Sequence, residues 1–192
     1  MLDNIDAILK EEIKENRVVS IFSDYNNMEK CTVGFIGNFD DDFVLIKCVN
    51  TNGEEDGLAI RRVDNIFRID IGGEYESKLQ KLYRLKGEKH NIYLDKNSDN
   101  VFNQILGYSI SNNKVLEISI DENNEQELIC GTVESINDNG LIKIKKINFY
   151  GYDDGVTFID VDDIVGRVDC YECADTCTGS NPSSKRRISI RN

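Results

Sequence analysis

Apolar residues in the N-terminal part of the chain follow two rhythms. Leu2, Ile5, Ile8, Leu9 and Ile13 recur at helical spacing, and Lys10, Glu11, Glu12, Lys14 and Glu15 fill the opposite face. The pattern predicts an amphipathic helix over 2–15. Asp3 suits the N-cap, with Asp6 three residues on as a weaker form of the capping box. Asn16 suits a left-handed turn at the other end. The rhythm then shortens. Residues 18–23, 31–38, 43–49, 57–60 and 66–71 read as strands, separated by the turn-rich stretches Asp24-Tyr25-Asn26-Asn27, Asp40-Asp41-Asp42, Asn50 to Asp56 and Val63-Asp64-Asn65. Short strands with a turn signal about every ten residues indicate a small barrel. After Gly72-Gly73, residues 74–86 return to helical spacing, with Tyr75, Leu79, Leu82 and Tyr83 on one stripe. That stripe is expected to pack across two neighbouring barrels. Residues 87–99 are polar, with Ile92-Tyr93-Leu94 as a candidate brief strand.

The same plan returns. Val18 to Asn27 reappears 97 residues later as Val115 to Asn124, with Val18/Val115, Ile21/Ile118, Asp24/Asp121, Asn26/Asn123 and Asn27/Asn124 identical. Ile8-Leu9 meets Ile105-Leu106, Asn16 meets Asn113, Gly34 meets Gly131 and Asp41 meets Asp138. At this spacing Val44 and Leu45 meet Leu141 and Ile142; one inserted residue then brings Gly57 opposite Gly155, and a second brings Arg68 and Asp70 opposite Arg167 and Asp169. Self-similarity at a fixed period marks a duplicated unit, and insertions between periodic runs belong in loops. The second copy predicts a helix capped by Ser98 or Asp99 and running to about Ser111, with Val101, Phe102, Ile105, Leu106 and Ile110 inward. Strands follow near 114–120, 127–136, 140–147, 155–160 and 164–170. The expected division is a helix-plus-barrel unit over 1–72, a helical connector over 73–99, a second unit over 100–177 and a basic, disordered tail over 178–192.

A helix leading five short strands resembles the Sm-like fold, an SH3-type barrel with an N-terminal helix. The resemblance is carried by Ile8-Leu9 before Val18 to Ile21, Gly34 to Asp41 before Phe43 to Ile46, and Gly57 to Ile60 before Ile66 to Ile69, with equivalents in the second unit. It implies a mainly β chain of two tandem five-stranded Sm-like or SH3-like barrels, each preceded by an α-helix and joined by a helical connector. It also implies assembly into rings and RNA binding. Asp41 and Asp138 resemble the family's Asp before the third strand. Ile60-Arg61-Arg62 keeps the Arg of its second motif without the following Gly, and Phe158-Ile159-Asp160 keeps neither.

Charge changes the functional expectation. The net charge is −12, and the last 15 residues hold Lys185, Arg186, Arg187 and Arg191 without an acid, leaving −16 on residues 1–177. Such a body repels phosphate at long range. RNA binding through Arg61 and Arg62 is therefore the alternative rather than the leading expectation. No apolar run reaches the ~18 residues of a membrane span and no leader pattern opens the chain, so a cytoplasmic protein is expected. Six cysteines and one histidine are present. Cys31, Cys48 and Cys130 lie in strand patterns, where a thiol is ordinarily a small buried hydrophobe. Cys170, Cys173 and Cys177 form the sharpest local constellation; three thiolates could serve a metal or redox role, but a closed zinc site needs a fourth ligand. His90 lies in a polar loop beside no nucleophile pattern. The acidic runs lack the spacing of a calcium loop, and no glycine-rich phosphate loop is present. The leading expectation is a non-enzymatic interaction module, without a cofactor, that binds another protein or itself. Its candidate surface is the aromatic loop Phe149, Tyr150 and Tyr152, because exposed aromatics anchor interfaces.

Overall fold

The computed structural model describes residues 2–91, 100–120, 128–137, 139–148, 150–164 and 167–171. The candidate strand at Ile92 to Leu94, Asp138, Phe149, Cys173, Cys177 and the tail from 178 lie outside them.

The first helix, α1, spans Leu2–Glu15 and ends as its sequence suggests, with Asn16 at a φ of 51°. Its Leu9 is fully buried against Val19, Ile21 and Ile36. Five strands follow: β1 Val18–Phe22, β2 Thr32–Phe39, β3 Phe43–Val49, β4 Glu55–Arg62 and β5 Arg68–Ile71. Helix α2, Glu74–Leu85, comes next. Helix α3, Val101–Asn112, is capped by Asn100, whose side chain accepts the Asn103 N–H at 2.7 Å. The second series is β6 Val115–Ser119, β7 Leu128–Ile136, β8 Leu141–Ile147, β9 Asp153–Asp160 and β10 Arg167–Tyr171. Asn113 has a φ of 48°, matching Asn16.

The strands do not close into two barrels. They form one open antiparallel sheet in the order β5-β1-β2-β3-β4-β10-β6-β7-β8-β9. Closing a five-stranded barrel requires β4 to return to β5 of its own unit. Here the outer edge of β4 is taken by β10, in the register Arg61↔Arg167, Ile60↔Val168, Ala59↔Asp169 and Leu58↔Cys170. The closing strand of the second unit thus joins the units into a continuous ladder, and the expectation of tandem closed barrels is corrected on that pairing.

The duplication is visible in the ladders. The β2–β3 pair shifts register between Ile36 and Asn38, and the β7–β8 pair between Val133 and Ser135. The β3–β4 and β8–β9 pairs shift again between Lys47 and Val49 and between Lys145 and Ile147. Bulges at matching places bend both halves alike. Gly34 opposes Cys48, and Gly131 opposes Lys146. The third strands therefore match at a spacing of 98, pairing Val44 with Ile142 and Ile46 with Ile144. This moves the first inserted residue back into the turn before them. The one-residue correction matters because neighbouring strand residues face opposite sides.

Two helices pack differently from expectation. Leu79 and Tyr83 of α2 join Val18, Phe35 and Val49 in a core confined to the first unit, and Tyr75 is exposed. The Glu76 carboxylate accepts from the Ser20 hydroxyl at 2.5 Å, tying α2 to β1. Helix α3 instead covers the junction. Val101, Phe102, Ile105 and Leu106 share one core with Leu45, Leu58 and Ile60 of the first unit and with Leu116, Ile118 and Val168 of the second. Ile110, expected inward, is exposed.

Candidate functional site

Two places concentrate chemistry: the seam between the units and the outer rim at β9. At the seam, the Arg61 guanidinium lies 2.7 Å from the Asp169 carboxylate. Its Nε donates to the Thr32 hydroxyl at 2.9 Å and its Nη1 to the Ile60 carbonyl at 2.7 Å. Both charged side chains are buried. Arg62 lies next to it with its guanidinium over the Phe43 ring, 5.4 Å from the centroid, and donates to the Ile164 carbonyl at 3.4 Å. The two candidate RNA contacts are thus built into the seam, where they hold β4, β10 and the turn after β9. Cys170 is a core member of the same seam, and burial pushes its thiol up to about 12. Cys31, Cys48 and Cys130 are likewise free thiols. Among the described residues, no group of three or more His, Cys, Asp or Glu side chains is arranged to hold a metal ion.

His90 lies against the first unit rather than in solvent. Its Nε2 is 2.8 Å from the Cys48 carbonyl, which only accepts, so Nε2 carries the proton. Nδ1 then accepts from the Tyr83 hydroxyl at 2.8 Å, and the two rings stack at 5.5 Å. Desolvation lowers the imidazole pKa, ahead of the opposing pull of the Cys48 carbonyl. The ring serves as a clip between the end of α2 and β3.

The rim is different. The turn between β8 and β9 is organised by Asn148, whose side-chain oxygen accepts the N–H groups of Tyr150 at 3.0 Å and Tyr152 at 3.1 Å. Gly151 supplies the left-handed position, with a φ of 82°. The counterpart turn uses Asn50 to hold Asn52 and Glu54, with Gly53 at 72°. The same scaffold therefore presents Asn52 and Glu54 in the first unit and two tyrosines in the second. Tyr150 is 75% exposed and Tyr152 71%. The exposed apolar surface continues along β9 with Val156 at 48% and Phe158 at 60%. Lys145 and Lys146 flank the strand and reach Asp153 and Asp154 at 3.1 and 3.2 Å. The Gly155 N–H, followed by Lys145, holds the Asp153 carboxyl below its ordinary range.

Val156 and Phe158 were not among the residues singled out from sequence. Their signal was a strand, Val156-Thr157-Phe158-Ile159, that is apolar on both faces. A strand of that kind needs cover on both sides, yet β9 ends the sheet. Compared with family models, curated proteins and solved structures, the chain has no match in any of the three.

Proposed function

We propose that this chain is a non-enzymatic protein-interaction module whose binding surface is the β9 rim. The observation that carries the reading is the exposure of Tyr150 and Tyr152 in the turn before β9 and of Val156 and Phe158 on β9 itself, a strand with one unpaired edge among the described residues. Exposed apolar strips on sheet edges template pairing with another chain. An added strand supplies main-chain hydrogen bonds while side-chain pockets supply selectivity. The Asn148 turn holds the two tyrosine backbones in place before any partner arrives, which lowers the ordering cost of binding. No described helix is long and apolar enough to cross a membrane. The four described cysteines are free thiols, which suits the reducing cytoplasm in which we place the protein.

The test is partner capture by tagged chain carrying Tyr150→Ser, Tyr152→Ser and Phe158→Ser together, with circular dichroism confirming the fold. Capture should fall at least about tenfold, in keeping with the loss of aromatic anchors. Capture equal to that of the parent chain would overturn the assignment.

A further inference from the structure

We infer that the outer edge of β9 is taken by the chain's own C-terminal segment, residues 186–191, which adds to the sheet as a further strand that a partner must displace. The inference rests on the reading of the β9 rim as a binding edge and adds its regulation.

The observation that carries it is a strand sequence written three times. β5 reads Arg68-Ile69-Asp70-Ile71, and β10 opens with Arg167-Val168-Asp169-Cys170. Arg187-Ile188-Ser189-Ile190 repeats the order arginine, apolar, polar, apolar, and is identical to β5 at three of its four positions. The tail thus carries a third version of a unit's fifth strand. The place where such a strand goes is shown at the seam, where β10 lies against β4 with Ile60↔Val168 and Leu58↔Cys170. β9 corresponds to β4 and ends the sheet among the described residues. Its Val156 and Phe158, matched to Leu58 and Ile60 at a spacing of 98, are exposed whereas those two are buried.

The seam register, carried over to the tail, sets Ile188 opposite Phe158 and Ile190 opposite Val156 as apolar cross-strand pairs. The departures from the seam agree with one another. In the seam Arg61 lies 2.7 Å from Asp169. On β9 the matching position is Ile159, and in the tail the matching position is Ser189. Both members of the ion pair are lost together, so this pairing buries no carboxylate without its cation. Arg186 then comes opposite Asp160, a cross-strand pair of opposite charge. At longer range, four basic residues in the tail face a body of charge −16, which draws the tail in.

The topology lets one chain do this alone. Each neighbouring pair from β10 through β6, β7 and β8 to β9 is antiparallel. β9 and β10 therefore end on the same side of the sheet, and a strand antiparallel to β9 starts from that side. The crossing spans five strand spacings, about 24 Å at ~4.8 Å each. Residues 172–185 supply 14 positions, which extend to about 46–50 Å. Gly179, Ser180, Asn181 and Pro182 within them suit a loop. A segment held on so short a connection acts at an effective concentration in the millimolar range, which a free partner strand has to overcome.

The experiment compares the full-length, reduced parent chain with a full-length variant carrying Ile188→Ser and Ile190→Ser, circular dichroism confirming both folds. Hydrogen exchange over residues 154–160 should be at least about tenfold slower in the parent. A fluorescent peptide of residues 183–192 is the probe for the emptied edge. In an anisotropy titration it should bind the variant, and bind the parent at least about tenfold more weakly because the parent's own tail holds the site. Adding Phe158→Glu to the variant should abolish peptide binding, and Phe158→Ser replaces it if the fold is lost. Equal exchange in the two chains, equal peptide binding to both, or equal binding of a scrambled peptide of the same composition would overturn the inference. Protection that light scattering shows only at a two-chain mass would overturn it as well. If the tail contact fails while partner capture still depends on Tyr150, Tyr152 and Phe158, the interaction reading stands without it. Tail protection with capture indifferent to those three residues would instead remove the interaction reading and leave β9 an edge closed by its own chain.

Discussion

Arg61 is worth more to the fold than its charge suggests. Truncating it to Ala leaves the Asp169 carboxylate buried opposite an apolar side chain. Breaking a buried pair on one side costs about 3–5 kcal/mol. Urea unfolding of Arg61→Ala should show a loss of that size. Replacing both partners by Leu should cost far less, since neither charge then stays buried. His90 makes a second prediction. Its pKa in the fold lies below the ordinary value of 6.5, so the unfolded chain binds the extra proton first. The neutral ring's contribution is complete above about pH 6.5 and is lost as pH falls through that value towards the lowered one. Thermal melts between pH 7.5 and 5 should show this loss in the parent chain, and His90→Gln should flatten it. Neither role was legible beforehand. Arg61 looked like an exposed contact because nothing local announces a carboxylate 108 positions further on. His90 looked solvated because its loop is polar, although the groups around it come from Tyr83 and Cys48.

At the level of elements, much could be read in advance. The helical stripe of α1 and the strand at 43–49 appear with the expected bounds, because each alternates strongly enough to decide its own conformation. The tight crossings of β2 over β3 and of β7 over β8 were legible only as matching glycines. A Cβ on Gly34 would lie 2.1 Å from the Lys47 carbonyl oxygen, and one on Gly131 2.3 Å from that of Lys145. Gly34→Ala and Gly131→Ala should each destabilise the chain by about 1–3 kcal/mol, as overpacking does, measured by chemical denaturation. Similar losses at both sites would show that the repeats share a backbone constraint. Helices were predicted over 74–86 and from a cap at Ser98 or Asp99 to about Ser111; they span Glu74–Leu85 and Val101–Asn112, the latter capped by Asn100, and what they cover was not predicted. Amphipathic periodicity says that a face is buried without saying against which strands, so α2 stays on the first unit and α3 bridges the seam.

For the whole molecule, strand order decided what the residues could not. The duplication fixes two sets of five strands, and closure of each set or exchange between them satisfies the same pattern. The observed exchange leaves one seam filled and two rims open, which is why Phe158 and Ile60 have opposite exposure despite matching positions. An apolar residue on an edge strand cannot be told from a buried one by pattern alone, so Val156 and Phe158 were not read as binding residues while Tyr150 and Tyr152 stood out in their loop.

The seam also sets an order of events during synthesis. The carbonyl of Val168 meets the Arg61 side chain across 107 positions of chain. At ordinary ribosomal speeds of about 5–20 residues per second, that distance takes roughly 5–20 s to make. Throughout that interval the β4 edge of the emerging first unit lacks β10 and is open to any matching strand. Neighbouring nascent chains on one message would present such edges side by side, so the protein's yield should depend on how quickly its second half is translated.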